Sequence, residues 1–122
     1  MIPWRAALLT SVVLVAAPVC AHETAGKCGG RVTNAGNYGV ELVAKGQTVD
    51  VCLLDGSEQP VPAAGFKATA ILVEGGKPAR IALTPADGNR LTGQAQVPLG
   101  TAPRGAVQLT APDGASASGT FN

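Results

Sequence analysis

The chain has 122 residues, with 9 Lys and Arg against 8 Asp and Glu and a single His, for a formal net charge of +1. Charged residues make up 14%, well below the roughly 25% of ordinary domains, so charge gives no electrostatic grip on nucleic acid or on an anionic membrane. With 16 Gly, 9 Pro and only 3% aromatics, the composition argues against a helical bundle and against a base-stacking platform.

The first predicted element is a leader. Arg5 follows Met1 and Trp4, residues 6–17 are apolar apart from Thr10 and Ser11, and Pro18 breaks the run. Val19, Cys20 and Ala21 then place small or allowed residues before a cut. Residues 1–21 are predicted to be a cleaved signal peptide, with His22 as the mature start. The apolar run is too short to span a bilayer, which takes about 20 residues, so no stable membrane span is expected after cleavage. Cys20 as a lipid site is a poorer reading, because Pro18 sits in the stretch that would be recognised. Loss of Cys20 with the leader leaves Cys28 and Cys52. An even count in an oxidising compartment reads as a disulfide. Thiolate ligands or a redox pair are the alternative, although redox pairs are usually spaced C-x-x-C.

Residues 22–27 lack apolar content and read as a flexible N-terminus ahead of one domain at 28–122. Short runs of period two follow, separated by turn signals. A first strand is predicted near 29–33. Tyr38, Val40, Leu42 and Ala44 then alternate with Gly39, Glu41 and Val43. Val49, Val51 and Leu53 alternate with Asp50 and Cys52, and Asp55-Gly56 turns the chain. Pro60, Pro62 and Gly65 make 55–65 a connection and not a central strand. Residues 67–74 are apolar on both faces, Gly75-Gly76 is a hairpin turn, and strands follow at 79–84, 90–97 and 107–111, with a last one reaching Phe121. No segment has helical spacing. The pattern predicts an all-β fold, an immunoglobulin-like antiparallel β-sandwich of about seven strands, with a small closed barrel as the alternative.

Few residues offer chemistry. His22 is the lone imidazole and stands at the predicted terminus, so neither a Ser-His-Asp nor a Cys-His constellation can be built inside the fold. Asp87 and Asp113 belong to Asp-Gly turns. The expectation is a protein that is not an enzyme. The α-amine and ring of His22 can together chelate copper or zinc, with Cys28, Cys52 and Glu41 as further ligands; a mobile terminus with incidental affinity is the plainer reading. The expected cofactor is accordingly none, with copper or zinc as the alternative.

Several stretches carry a family likeness. Cys28-Gly29-Gly30-Arg31-Val32, followed by Ala35-Gly36-Asn37-Tyr38-Gly39-Val40-Glu41-Leu42-Val43, resembles a segment of bacterial periplasmic proteins linked to heavy-metal efflux. That segment occurs in N-terminal extensions of periplasmic adaptor (membrane-fusion) subunits and in small stand-alone relatives. Residues 83–91, and Ala111-Pro112-Asp113-Gly114 with Phe121, are similar to the same group. The group's pattern has His where this chain has Cys28 and Gly39, so the resemblance carries over only Cys28 and Glu41 as ligands. It implies a periplasmic location, a β fold, and an accessory role in cation handling with a metal-efflux adaptor or another envelope protein as partner.

Overall fold

The structure, a computed structural model, describes residues 24–122. The predicted signal peptide and His22 lie outside the described residues. Nine strands are described: β1 (Thr24–Ala25), β2 (Arg31–Ala35), β3 (Tyr38–Lys45), β4 (Thr48–Leu54), β5 (Lys67–Glu74), β6 (Lys77–Pro85), β7 (Arg90–Gln94), β8 (Arg104–Thr110) and β9 (Ser116–Phe121). All pairings are antiparallel, in the order β1-β2-β3-β4-β7-β6-β5-β8-β9, and there is no helix among the described residues. The all-β expectation therefore holds.

Period two decides which side chains go inside. Val40, Leu42 and Ala44 of β3, Val49, Val51 and Leu53 of β4, and Ala68, Ala70 and Leu72 of β5 are all buried in one core. Ile81, Leu83, Leu91, Val107, Leu109 and Phe121 complete it. These are small or medium side chains, so the core is thin. The connection at 55–66 plugs one end. Ala63 and Phe66 are buried there, and the Phe66 ring meets Tyr38 edge-on, with centroids 5.2 Å apart.

The ends of the strand order come back together. β9 lies beside β2 without a ladder between them. Gly119 makes that approach feasible, since a Cβ on it would stand 2.7 Å from Thr33 Cγ2 and 2.9 Å from the Asn34 carbonyl oxygen. Arg31 fastens the same seam. Its Nη1 donates to the Asn122 carbonyl at 3.3 Å, its Nη2 donates to the Pro103 carbonyl, and its guanidinium lies 5.4 Å from the centre of the Phe121 ring. The result is one nearly closed, barrel-like sheet.

Several boundaries differ from the sequence expectation. Thr24 and Ala25, read as flexible, pair with Val32 and Arg31. The first strand of the domain begins at Arg31, not at 29, because Gly26, Gly29 and Gly30 are tied in a tight turn of their own. β7 stops at Gln94, three residues short of the predicted end. There the Ala95 N–H donates to the Gln47 carbonyl and the Leu99 N–H to the Gly46 carbonyl, which draws the chain across the end of the sheet toward β8.

Candidate functional site

Glu41 is the most unusual residue in the fold. It is a carboxylate only 1% exposed in a small β domain, and buried acids need a partner. It sits on the outer face of β3, opposite Cys52 on β4 and Val32 on β2. An outer face is normally wet. Here residues 26–30 lie across it. The Gly30 N–H donates to Glu41 Oε2 at 2.9 Å. Gly26 rests against the carboxyl group so closely that a Cβ would fall 2.1 Å from Cδ. Val43, the next outward residue of β3, is covered by the same segment.

Cys28 belongs to this covering segment and is joined to Cys52 in the sheet beneath, 24 residues on. The glycines let the backbone lie flat, the disulfide pins it, and Glu41 takes its amide. β3 is consequently buried on both faces, a pattern more usual for parallel strands.

The neighbouring row of this face is polar and organised. Asp50 pairs across the ladder with Thr92, whose hydroxyl donates to Asp50 Oδ1 at 2.5 Å. Arg90 reaches Asp50 Oδ2 at 3.5 Å and Asp87 at 3.5 Å. Asp50→Ala should cost about 1 kcal/mol in urea unfolding, the worth of the Thr92 bond. Arg90→Ala should cost roughly 0.2–1 kcal/mol and lose that effect at high salt, because its guanidinium is half in water.

The sequence-predicted ligands are brought together only in part. Cys28, Cys52 and Glu41 meet at one spot, while His22 lies outside the described residues. As described, this donor set does not fit a metal ion, since the sulfurs are joined to each other and Glu41 faces an N–H donor. Among the described residues, no group of three or more His, Cys, Asp or Glu side chains is arranged to hold a metal. Other acids are tied into structure. Asp55 Oδ1 accepts the Ser57 and Gln59 N–H groups, and Asp113 Oδ1 accepts the Ala115 N–H. Glu74 accepts the Gly100 N–H at 3.1 Å. No helix among the described residues is long and apolar enough to cross a membrane.

What sequence reading missed is the cover. The signal for it was present: Gly26, Gly29 and Gly30 surround a cysteine whose mate occupies an outward strand position. A chain that returns to an outward cysteine must lie on that face and bury its neighbours. Comparison with known proteins finds no matching family model, no matching curated protein and no matching solved structure.

Proposed function

We propose that this chain is a non-catalytic, exported accessory module that works by docking to another envelope protein, in the setting of periplasmic metal-cation handling. A metal-efflux adaptor is the partner class that fits its resemblance to proteins of that setting. The observation that carries the reading is the pinned cover over Glu41. Acid, glycines and cysteine pair are all used to fix a strap to a sheet, which is work of architecture and not of turnover. The cysteine pair suits an oxidising compartment, in keeping with a leader at residues 1–21.

The finer fold reading belongs with this proposal. We read the nearly closed sheet as a flattened immunoglobulin-like sandwich. Counting β3 as the first strand, the pairings include first to second, second to fifth, fifth to fourth, third to sixth and sixth to seventh, with third to fourth in addition. The first five are the pairings of the two immunoglobulin sheets. β2 adds to the first sheet, and β6 bridges the two by pairing with β5 along its length and with β7 at Thr84 and Pro85.

Intact mass of the exported protein, before and after reduction and alkylation, tests the reading alongside copper and zinc titration. The expected result is a chain starting at His22, with no free thiol and no metal retained at equimolar ion. Two free thiols with a retained ion would overturn it in favour of a metal carrier built from His22, Cys28, Cys52 and Glu41.

A further inference from the structure

Resting on the interaction-module reading, we infer that the open edge of β6 is the docking site, and that its occupant is an extended acidic segment of a partner protein added as a strand. The open edge arises at a fork between β6 and β7. They pair at Thr84–Thr92 and Pro85–Leu91 and then diverge. Gly93 marks the crossing, where a Cβ would stand 2.4 Å from the Ala82 carbonyl oxygen and 2.9 Å from Ile81 Cγ2. Beyond it, β7 ends and the chain leaves through 95–99, so β6 from Lys77 to Ala82 has a ladder partner only in β5.

Register shows which backbone groups are open. The two-residue turn at Gly75-Gly76 closes on the Glu74–Lys77 pair. Such a turn closes on a hydrogen-bonded pair, and bonded and non-bonded pairs alternate from there. Lys77, Ala79 and Ile81 therefore bond to β5, and Pro78, Arg80 and Ala82 turn their peptide groups the other way, toward an open side that ends where the Ala82 carbonyl meets Gly93. Proline occupies one of these positions, where no N–H is required by the sheet. Arg80 supplies both an N–H and a carbonyl at the middle of the edge.

The groove beside this edge has a volume of about 570 Å³. Val97 lies in it, and at 53% exposure is the large apolar side chain left most open among the described residues. Arg80 is exposed on its rim, Lys77 stands on the opposite face across from Glu74, and Gln94 and Gln96 form the facing wall. The acid at the mouth, Glu74, is engaged by the Gly100 N–H. The lining thus offers strand hydrogen bonds, one apolar contact and, with Lys77 set against Glu74, the positive charge of Arg80 on the outer face. An extended segment that alternates acidic and apolar side chains matches all three, in the manner of strand addition to a sheet edge.

The test uses the mature full-length protein and a short synthetic peptide alternating Glu and Val, with a Lys and Val twin as control. Amide exchange is followed residue by residue. The acidic peptide is expected to slow exchange at Arg80 and Ala82 at least tenfold, the Lys twin to leave it unchanged, and the substitution Arg80→Glu to reverse that preference. Unchanged exchange at both amides with either peptide would overturn the proposal. A photo-reactive residue placed in cells at position 97, and separately at 45 and 118, tells the two readings apart. Adducts confined to 45 or 118 would overturn this edge and leave the module reading standing. Absence of adducts at every position, together with metal retention by the purified protein, would sink both.

Discussion

Replacing Cys28 and Cys52 together with Ser is expected to lower stability by about 3.5 kcal/mol, the loop-closure entropy of a cross-link over this span. The two residues stand 24 apart in sequence, so an unfolded chain without the bond has that much more freedom to lose. Small domains have only about 5–15 kcal/mol of stability in total. At about 4–8 °C per kcal/mol for a domain of this size, the melting temperature should fall by roughly 14–28 °C. Thermal unfolding of the mature protein, with and without reductant, checks it. Reduced wild type and the double variant should melt together. A fall of less than a few degrees would mean that the cysteines do not restrain the unfolded chain. The change should also be local before it is global. Without the bond, the strap at 26–30 is held by the Glu41–Gly30 hydrogen bond and by packing on Val43, so exchange at the Gly30 amide should rise well before the core opens.

The core was legible in the sequence because burial on one face of a strand writes itself as period two. Val40, Leu42, Val49, Val51, Leu72, Ile81 and Leu91 all fall inward, as their alternation demands. The 55–65 connection was legible too, since Pro60 and Pro62 bring no N–H to a ladder, and Pro60 makes only an isolated bridge to Leu54. The end of β7 was not. Residues 95–97 keep the strand alternation, and what removes them from the sheet is a set of backbone bonds to Gly46 and Gln47, which no side-chain pattern announces. Sheet closure was equally hidden. It depends on Gly119 passing close to Thr33 and on Arg31 reaching Pro103, contacts between residues far apart in the chain. Glu41 marks the sharpest limit of a periodic reading. Alternation places it outward, and outward it is, yet a second layer of chain lies over it. Periodicity reports which face a side chain occupies and says nothing about what later covers that face.

Glu41 should therefore behave as a core residue whose value depends on the strap. Glu41→Gln keeps an acceptor for the Gly30 N–H and nearly the same volume, and is expected to cost less than about 1 kcal/mol. Glu41→Ala removes the acceptor and leaves the half-buried Gly30 N–H unpaired, at about 1–3 kcal/mol, with a further loss from the vacated space. A total near 2–4 kcal/mol is expected from urea unfolding, second in size to the loss of the disulfide. The deciding measurement is a double-mutant cycle with the Cys28→Ser, Cys52→Ser pair. If Glu41 exists to seat the strap, removing the bond frees residues 26–30, Gly30 regains water, and Glu41→Ala should then cost less than about 1 kcal/mol. If the full cost persists in that background, Glu41 serves the sheet through its register partners at positions 52 and 32 alone, and the strap is a passenger on a face that was already closed. The two outcomes separate a cover that the carboxylate holds in place from one that the disulfide holds unaided.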